Sequence, residues 1–170
     1  MFLAHLPVGS LVAHALSAGA PRARSRVIFV ASLVGSVLPD VDMLWFHLVD
    51  HGRVHHHRYW THVPLFWAAF ALPALLVTAR LWPARLRAVV AFFIAIASHL
   101  VLDTVVGDVQ WLQPLSDRFI HLVTVERIEG AHWIWSFVLH WTFALELALL
   151  ALAVAIEVRA RRLRRSPAAA

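Results

Sequence analysis

Three long apolar stretches, at residues 63–82, 86–106 and 133–158, constrain the fold of this 170-residue chain more than any other feature. Roughly 20 apolar residues in a helix cross the hydrocarbon core of a bilayer, so each stretch is long enough to do so. The whole chain is 61% hydrophobic and only 15% charged, which is too apolar for an ordinary soluble domain. We therefore predict an all-α fold, namely a polytopic helical membrane bundle.

Two shorter apolar stretches precede these three. Residues 2–18 are of marginal length for a span, and residues 27–38 are too short alone. The second stretch reaches the far interface only by continuing through Pro39 toward residue 48, so we expect a helix that is short or broken at Pro39. The prediction is about five hydrophobic helices forming a single membrane domain over residues 1–158, followed by a basic tail at residues 159–170.

The arginines predict the orientation of the bundle. The chain has no lysine, and eleven of its fifteen arginines fall in three groups, at residues 22–26, 80–87 and 159–165. All three groups lie on the same side of a five-helix alternation, and cytoplasmic loops hold the excess of basic residues. We therefore predict that the N-terminus is outside and the C-terminus is cytoplasmic. Short arginine clusters beside apolar runs are typical of helix-end anchors, so no nucleic-acid partner is expected.

The histidines and acidic residues are concentrated on the opposite side. Eight of the ten acidic residues lie in or beside residues 39–62 and 99–132. Nine of the twelve histidines lie in the same two segments, and His5 is a tenth on this side. The chain has no cysteine, so any metal must be held by histidine, aspartate or glutamate. This separation from the arginines predicts a metal site at the outer end of the bundle.

The first two candidate ligands are Asp40 and Asp42, which follow Pro39. The proline frees the backbone from helical geometry, so both carboxylates can turn toward one cation. The alternative interpretation is an acidic helix end exposed to water.

The second group is the sequence HHHRYWTH at residues 55–62. Neutral imidazole is the commonest nitrogen ligand of zinc, and we expect His57 and His62 to be ligands, with His55 as a further candidate. Arg58 would hold an anionic substrate such as phosphate, because a guanidinium pairs with phosphate in a fork. The alternative is a pH-sensitive surface loop.

The third group is His99 and Asp103, four residues apart in a strongly helical stretch. This spacing places both side chains on one face of the helix, and ionisable groups inside a membrane span are functional candidates by default. The alternative is a histidine–aspartate pair that seals the bundle. His5, at a comparable depth on the first helix, is a further candidate ligand. The deeper polar residues are expected to make packing contacts; they are His14, His140 and Glu146.

The number of candidates exceeds the four ligands of a closed structural zinc site. Nitrogen and oxygen donors suit a divalent metal, with Zn favoured over Mn or Fe, and the surplus favours a catalytic centre with one or more ions. In centres with two metals, one ion generates hydroxide from water and another polarises a phosphoryl or carbonyl group. The predicted metal ligands are His5, Asp40, Asp42, His57, His62, His99 and Asp103. The predicted catalytic residues are Asp42, Asp103 and Arg58.

The order of these motifs resembles that of a known family. His5, LVGSVLPDVD, HHHRYWTH, SHLVLDTVVGD and LQPLSDR together resemble the bacterial inner-membrane metal-dependent hydrolases, also described as LexA-regulated membrane proteins of unknown function. The resemblance covers residues 1 to about 120, and the pair Tyr59-Trp60 stands where that family commonly has small or aliphatic residues. The resemblance implies a helical protein of the bacterial inner membrane. It also implies metal binding through Asp40, Asp42, His57, His62, His99 and Asp103.

Three functions follow as hypotheses. The first is a membrane-embedded metal-dependent hydrolase that acts on a lipid-linked or amphiphilic phosphoester at the outer interface, with Arg58 or Arg118 clamping the phosphate. Its partners would be membrane lipid and a small-molecule or lipid-linked substrate. The second is a divalent-metal transporter or sensor that uses the same ligands. The third is a regulatory membrane protein without catalysis, whose arginine-rich tail contacts anionic lipid or a cytoplasmic protein.

Overall fold

The computed structural model describes Met1 and residues 3–165, with side chains described through residue 163. Residues 166–170 of the predicted basic tail therefore lie outside the described part, as does residue 2, the first of the apolar stretch 2–18. The α-helices, in chain order, are α1 (His5–Ser17), α2 (Arg22–Val37), α3 (Asp42–Leu48), α4 (Pro64–Leu81), α5 (Leu86–Val106), α6 (Trp133–Val138) and α7 (Trp141–Arg165). Short 3-10 helices lie at Pro39–Val41, His56–Arg58, Trp60–His62 and Pro83–Arg85. The described residues contain no β-strand, so the predicted all-α fold is confirmed.

Among the described residues, three helices are long and apolar enough to cross a membrane. They are Pro64–Leu81, Pro83–Val106 and Trp141–Leu163. A fourth span results if Arg22–Val37 and Pro39–Leu48 count together, and these two segments are bent by 53° where they meet. The prediction of a second helix broken at Pro39 is thus confirmed. The bend follows from proline, whose ring clashes with the preceding turn and which has no N–H to donate.

Two predicted helices differ in their bounds. The stretch 133–158 does not form one helix, because α6 ends at Val138 and α7 begins at Trp141. Between them, Nδ1 of His140 accepts hydrogen bonds from the backbone N–H of Thr142 (3.4 Å) and from the Thr142 hydroxyl (2.9 Å). Helix α7 then continues to Arg165, so the described part of the basic tail is helical. Helix α1 has 13 residues, about 20 Å at 1.5 Å per residue, which is shorter than the roughly 30 Å hydrocarbon core.

Helices α1, α2 and α5 form the centre of the bundle, with α4 packed on α5 and α7 on α1. Small residues allow this close approach: a Cβ atom on Gly35 of α2 would lie 2.3 Å from the backbone oxygen of Phe92 on α5. Helices α1 and α2 are joined by a hydrogen bond of 2.7 Å from the Ser32 hydroxyl to the Gly9 carbonyl. The packed interior here is apolar, built around Ile28, Ala88 and Ala91.

The three arginine groups meet at one end of the bundle. Arg87, at the start of α5, donates to the carbonyl oxygen of Ala18 at the end of α1 (3.3 Å). Arg24 and Arg85 line one groove at the same end, between α2 and the turn that precedes α5. Near the end of α7, Glu157 pairs with His14 of α1. The histidine-rich segments lie at the other ends of these helices, as the alternation of spans predicts.

Candidate metal centre

Four predicted ligands converge where the bent α2–α3 segment meets α5. Each of Asp40, His62, His99 and Asp103 offers one nitrogen or oxygen atom, and these four atoms all lie within 4.8 Å of one another. We call these residues the four-residue centre. Three of them are buried, and the side chain of Asp40 is 40% exposed. The centre is therefore closed on the side of the bundle core and open beside Asp40.

Asp103 is the hub of this arrangement. Its Oδ2 atom lies 3.0 Å from Nε2 of His99 and 3.5 Å from Nε2 of His62. The same two imidazole nitrogens lie 3.6 and 3.7 Å from Oδ1 of Asp40. The spacing of four residues between His99 and Asp103 thus brings both side chains to one point, as their shared helix face predicts.

The atoms that face one another in this centre lack hydrogen-bond partners. His62 Nε2, His99 Nε2 and Asp103 Oδ2 are all buried without a hydrogen bond to the described residues. A buried polar atom left unsatisfied costs about 1–3 kcal/mol, and native proteins seldom tolerate several of them together. A cation bound between these atoms would satisfy all of them, so the donor set fits a metal ion.

The opposite ring nitrogens are all held by acceptors. Nδ1 of His99 donates to the backbone oxygen of Ser36 (2.8 Å), and Nδ1 of His62 donates to Oδ2 of Asp42 (2.6 Å). An N–H at Nδ1 leaves Nε2 unprotonated in a neutral imidazole, with its lone pair directed into the centre. This hydrogen bonding of the outer ring nitrogen is typical of histidines that bind metals.

Asp42 lies behind His62 rather than beside the other carboxylates. Its Oδ2 atom accepts hydrogen bonds from His62 and from the hydroxyl of Thr61, both at 2.6 Å. Asp42 is buried, and its Oδ1 atom has no hydrogen-bond partner among the described residues. The structure thus places this predicted ligand and catalytic residue where it orients His62.

His57 occupies a flank of the centre. Its Nε2 atom lies 3.8 Å from Oδ2 of Asp103, and its Nδ1 atom donates to the backbone oxygen of Asp108 (3.1 Å). Gly107 leaves room for this ring, because a Cβ atom there would lie 2.5 Å from Cε1 of His57. His57 therefore shares the orientation of the two central histidines at a slightly greater distance.

His5 covers the centre from α1. Its ring stacks on that of His99, with centroids 3.8 Å apart and planes inclined by 20°. Nε2 of His5 lies 3.2 Å from Oδ1 of Asp103 and 2.7 Å from the carbonyl oxygen of Met1, and its Nδ1 atom is buried without a partner. The amino group of Met1 also contacts Oδ1 of Asp103 (2.5 Å).

The electrostatics of the histidine-rich turn differ between its two buried imidazoles. Burial, together with the neighbouring imidazoles of His56 and His62, lowers the pKa of His57 to about 2, so His57 is neutral at pH 7. Burial also lowers the pKa of His62, but its contacts with Asp103, Asp40 and Asp42 outweigh burial and raise that pKa to about 10. The carboxylates therefore favour a positive charge beside Nε2 of His62, which either a proton or a bound cation can supply; a cation would bind to the neutral imidazole.

The remaining predicted residues lie outside the four-residue centre. Arg58 is exposed at the end of the turn that carries His57, and its side chain makes no hydrogen bond or ion pair with the described residues. His55 and Arg118 are also exposed. Glu146 is fully buried and accepts a hydrogen bond from the backbone N–H of Leu3, while His14 pairs with Glu157. These two deeper residues make polar packing contacts, as expected.

Sequence reasoning missed several groups that hold the ligands in place. The indole N–H of Trp67 donates to the Thr61 carbonyl (2.7 Å) and so fixes the turn that carries His62. The indole of Trp111 donates to the hydroxyl of Thr104 (2.8 Å), next to Asp103. Thr61 stands inside the HRYWTH motif and could have been identified there. The backbone carbonyls of Ser36 and Asp108 have no sequence signature.

A family model described as YdjM inner membrane protein matches residues 1–164. No curated protein and no solved structure matches the chain. The family description supports a protein of the inner membrane, and the apolar helices fit several passes through it. The description gives no reaction, so the hydrolase part of the expected resemblance rests on the site alone. Because the match extends over nearly the whole length, the chain belongs to the YdjM inner membrane protein family.

Proposed function

We propose that the protein binds a divalent metal ion in the four-residue centre and acts as a membrane-embedded hydrolase of phosphoesters. One observation carries the proposal. His62 Nε2, His99 Nε2 and Asp103 Oδ2 are buried, lack hydrogen bonds to the described residues and meet within 4.8 Å together with Asp40. Two nitrogen and two oxygen donors suit zinc, with Mn or Fe as alternatives.

The seven predicted ligands divide into three roles in this proposal. Asp40, His62, His99 and Asp103 hold the ion. His57 and His5 flank them, at 3.8 and 3.2 Å from the carboxylate of Asp103, and either is a ligand for a second ion or a wider coordination sphere. Asp42 orients His62 through Nδ1 and thereby supports metal affinity.

The chemistry follows from what a divalent ion supplies: it lowers the pKa of bound water and polarises a phosphoryl oxygen. The exposed flank at Asp40 gives water and substrate access to the centre. Arg58, exposed beside His57 and free of ion pairs with the described residues, would bind the phosphate in a fork. Asp103 remains the central carboxylate of the site.

The substrate we favour is a lipid-linked or amphiphilic phosphoester. Large aromatic side chains are exposed around the segments that carry the site, and they include Trp45, Trp60, Trp133 and Trp135. Indoles favour the interface between membrane and water, so these residues would place the centre at headgroup depth. By the arginine rule, this interface is the outer one, with the C-terminal end of α7 in the cytoplasm.

A transporter is less well supported by the same structure. Transport requires polar groups along a path through the bundle, whereas the core between the centre and the arginine-rich end contains Ile28, Ala88, Ala91, Ala95 and Ile96, all buried. The buried hydroxyls of Ser32 and Ser36 on α2 already donate to the backbone carbonyls of Gly9 and Leu33. This packing favours a site that holds its ion.

Two measurements test the proposal. Elemental analysis of the purified protein should show at least one transition-metal ion per chain, and H62A and D103N should each lose it. Turnover of phosphomonoesters and phosphodiesters, both water-soluble and in mixed micelles, should disappear in the same variants. The matched controls are H121A and D108N. Nδ1 of His121 lies 2.7 Å from Oδ1 of Asp108, and this exposed histidine–aspartate pair lies outside the centre.

The outcomes separate the two parts of the proposal. Absence of metal from the wild-type protein, even after incubation with Zn²⁺ or Mn²⁺, would contradict the metal centre. Full metal content with no turnover of any ester would contradict the hydrolase and leave the metal centre standing. Equal metal loss in H121A and H62A would show that binding is not confined to the buried site.

A further inference from the structure

A polar cavity lies at the arginine-rich end of the bundle, opposite the four-residue centre, between α1, α2 and α7. It has a volume of about 650 Å³. Its lining includes His14, Ser17, Arg22, Ser25, Arg26 and Glu157. Ser17 is twelve residues beyond His5 on α1, which places the cavity about 18 Å along the helix from the proposed metal centre. The two sites are therefore separate.

The first turn of α2, at the edge of this cavity, concentrates positive charge. Arg22, Arg24 and Arg26 lie at or near the N-terminus of the helix, where the first turn contains no acidic residue and no side chain caps the backbone. The first N–H groups of a helix have no partner within it, and the helix dipole adds partial positive charge at this end. Arginines here are electrostatically unfavourable unless an anion binds close by.

The acidic residue that lines the cavity is already paired. Glu157 contacts Nε2 of His14 at 2.9 Å and Nε of Arg161 at 2.5 Å. Arg22 and Arg26 make no ion pair with any described residue, and both are exposed. The hydroxyl oxygen of Ser17 is buried without a hydrogen-bond partner. Within the described structure, the cavity thus has donors that lack acceptors.

We propose that this cavity binds a phosphate group, carried by an anionic phospholipid. Two guanidinium groups one helical turn apart, the helix N-terminus and the Ser17 hydroxyl together match the oxygens of a phosphate. Phe29 lines the same cavity, and Val30, which is exposed one helical turn beyond Arg26, would contact the acyl chains. Basic pockets between membrane helices recognise anionic headgroups in this manner. The proposal is independent of the hydrolase and its metal.

The experiment measures binding of dioctanoyl phosphatidylglycerol, dioctanoyl phosphatidylcholine and inorganic phosphate to the full-length protein in detergent. The test variant is R22Q/R26Q. Its control is R24Q/R85Q, which removes two arginines at the same end of the bundle from a different groove. R22Q/R26Q should weaken phosphatidylglycerol binding by about tenfold or more, since it removes hydrogen bonds between charged groups, and the control should change it by less than about twofold.

Two further variants protect the test against misfolding of the double variant. S17A changes no charge and should weaken phosphatidylglycerol binding about twofold to tenfold through loss of one hydrogen bond. R22K/R26K keeps the charge but loses the fork geometry, so it should lie between the wild type and R22Q/R26Q. The melting temperature of each variant reports on its fold.

Each outcome decides the question. Phosphatidylglycerol binding that depends on Arg22, Arg26 and Ser17, with little binding of phosphatidylcholine, supports the lipid site. Inorganic phosphate that binds with the same dependence, while phosphatidylglycerol does not, supports the phosphate site and assigns it to a soluble ligand. The proposal would be overturned if R22Q/R26Q and R24Q/R85Q weakened phosphatidylglycerol binding equally. It would also be overturned if the wild-type protein bound phosphatidylglycerol no more tightly than phosphatidylcholine.

Discussion

The imidazole of His62 donates a hydrogen bond from Nδ1 to Oδ2 of Asp42, with 2.6 Å between the two atoms, and its Nε2 atom faces Asp103 and Asp40. One histidine thus connects three carboxylates. Only Asp42 lies on the far side of the ring. This relationship separates residues that would contact a metal from a residue that would hold a ligand in position.

Replacement of Asp42 by asparagine tests that separation. The amide keeps the size of the side chain but removes its charge and weakens its hydrogen bond to His62. We expect metal affinity to fall about 10–100-fold with the stoichiometry retained at saturation, as measured by competition with a chelator. D50N is the control, because Asp50 accepts a hydrogen bond from Tyr59 outside the centre. Complete loss of binding in D42N, as in D103N, would make Asp42 a direct ligand.

Gly107→Ala should disturb His57 specifically. The added Cβ would lie 2.5 Å from Cε1 of His57 and 2.9 Å from the backbone oxygen of Asp103, although the backbone conformation itself, with φ of −115°, suits any residue. Overpacking of this kind costs about 1–3 kcal/mol in unfolding free energy. Thermal unfolding in detergent measures the loss.

A double-mutant comparison checks whether the loss of stability in Gly107→Ala comes from contact with His57. The penalty of Gly107→Ala should be smaller in a His57→Ala background, because the closest clashing ring is then absent. An unchanged penalty would locate the clash at the backbone of Asp103 alone.

Gly35→Ala should destabilise the crossing of α2 and α5. Its Cβ would lie 2.3 Å from the backbone oxygen of Phe92, and neither helix can yield locally. We expect a loss of about 1–3 kcal/mol or more, together with weaker metal binding, since the adjacent Ser36 carbonyl holds His99. V34A, at an exposed neighbouring position, should change stability by no more than about 0.5 kcal/mol. Comparable stability of G35A and V34A would contradict the close contact.

The absence of cysteine allows a direct test of orientation. The single substitutions Leu122→Cys and Ala84→Cys each place a thiol at an exposed position. Leu122 lies near the histidine-rich end of the bundle and Ala84 near the arginine-rich end. A membrane-impermeant maleimide applied to intact spheroplasts should label the first variant, and it should label the second only after permeabilisation. The reverse pattern would place the proposed metal centre in the cytoplasm.

Much of the architecture followed from local sequence. The three long spans and the break at Pro39 were predictable because apolar length and proline chemistry act within one segment. The ligand types were also predictable, since a cysteine-free chain leaves histidine and carboxylates. The end of α6 was not predictable: apolar residues lie on both sides of His140, and the break is visible only where His140 accepts a hydrogen bond from Thr142.

The sequence by itself determined an all-α membrane bundle with its histidines and carboxylates at the end opposite most arginines. Tertiary structure alone decided that Asp40, His62, His99 and Asp103 converge while Asp42 lies behind His62. It also decided that backbone carbonyls of Ser36 and Asp108 hold two of the imidazoles. The physical reason is that convergence depends on how closely helices cross and how each is rotated. Those quantities arise from packing between distant segments and have no local pattern.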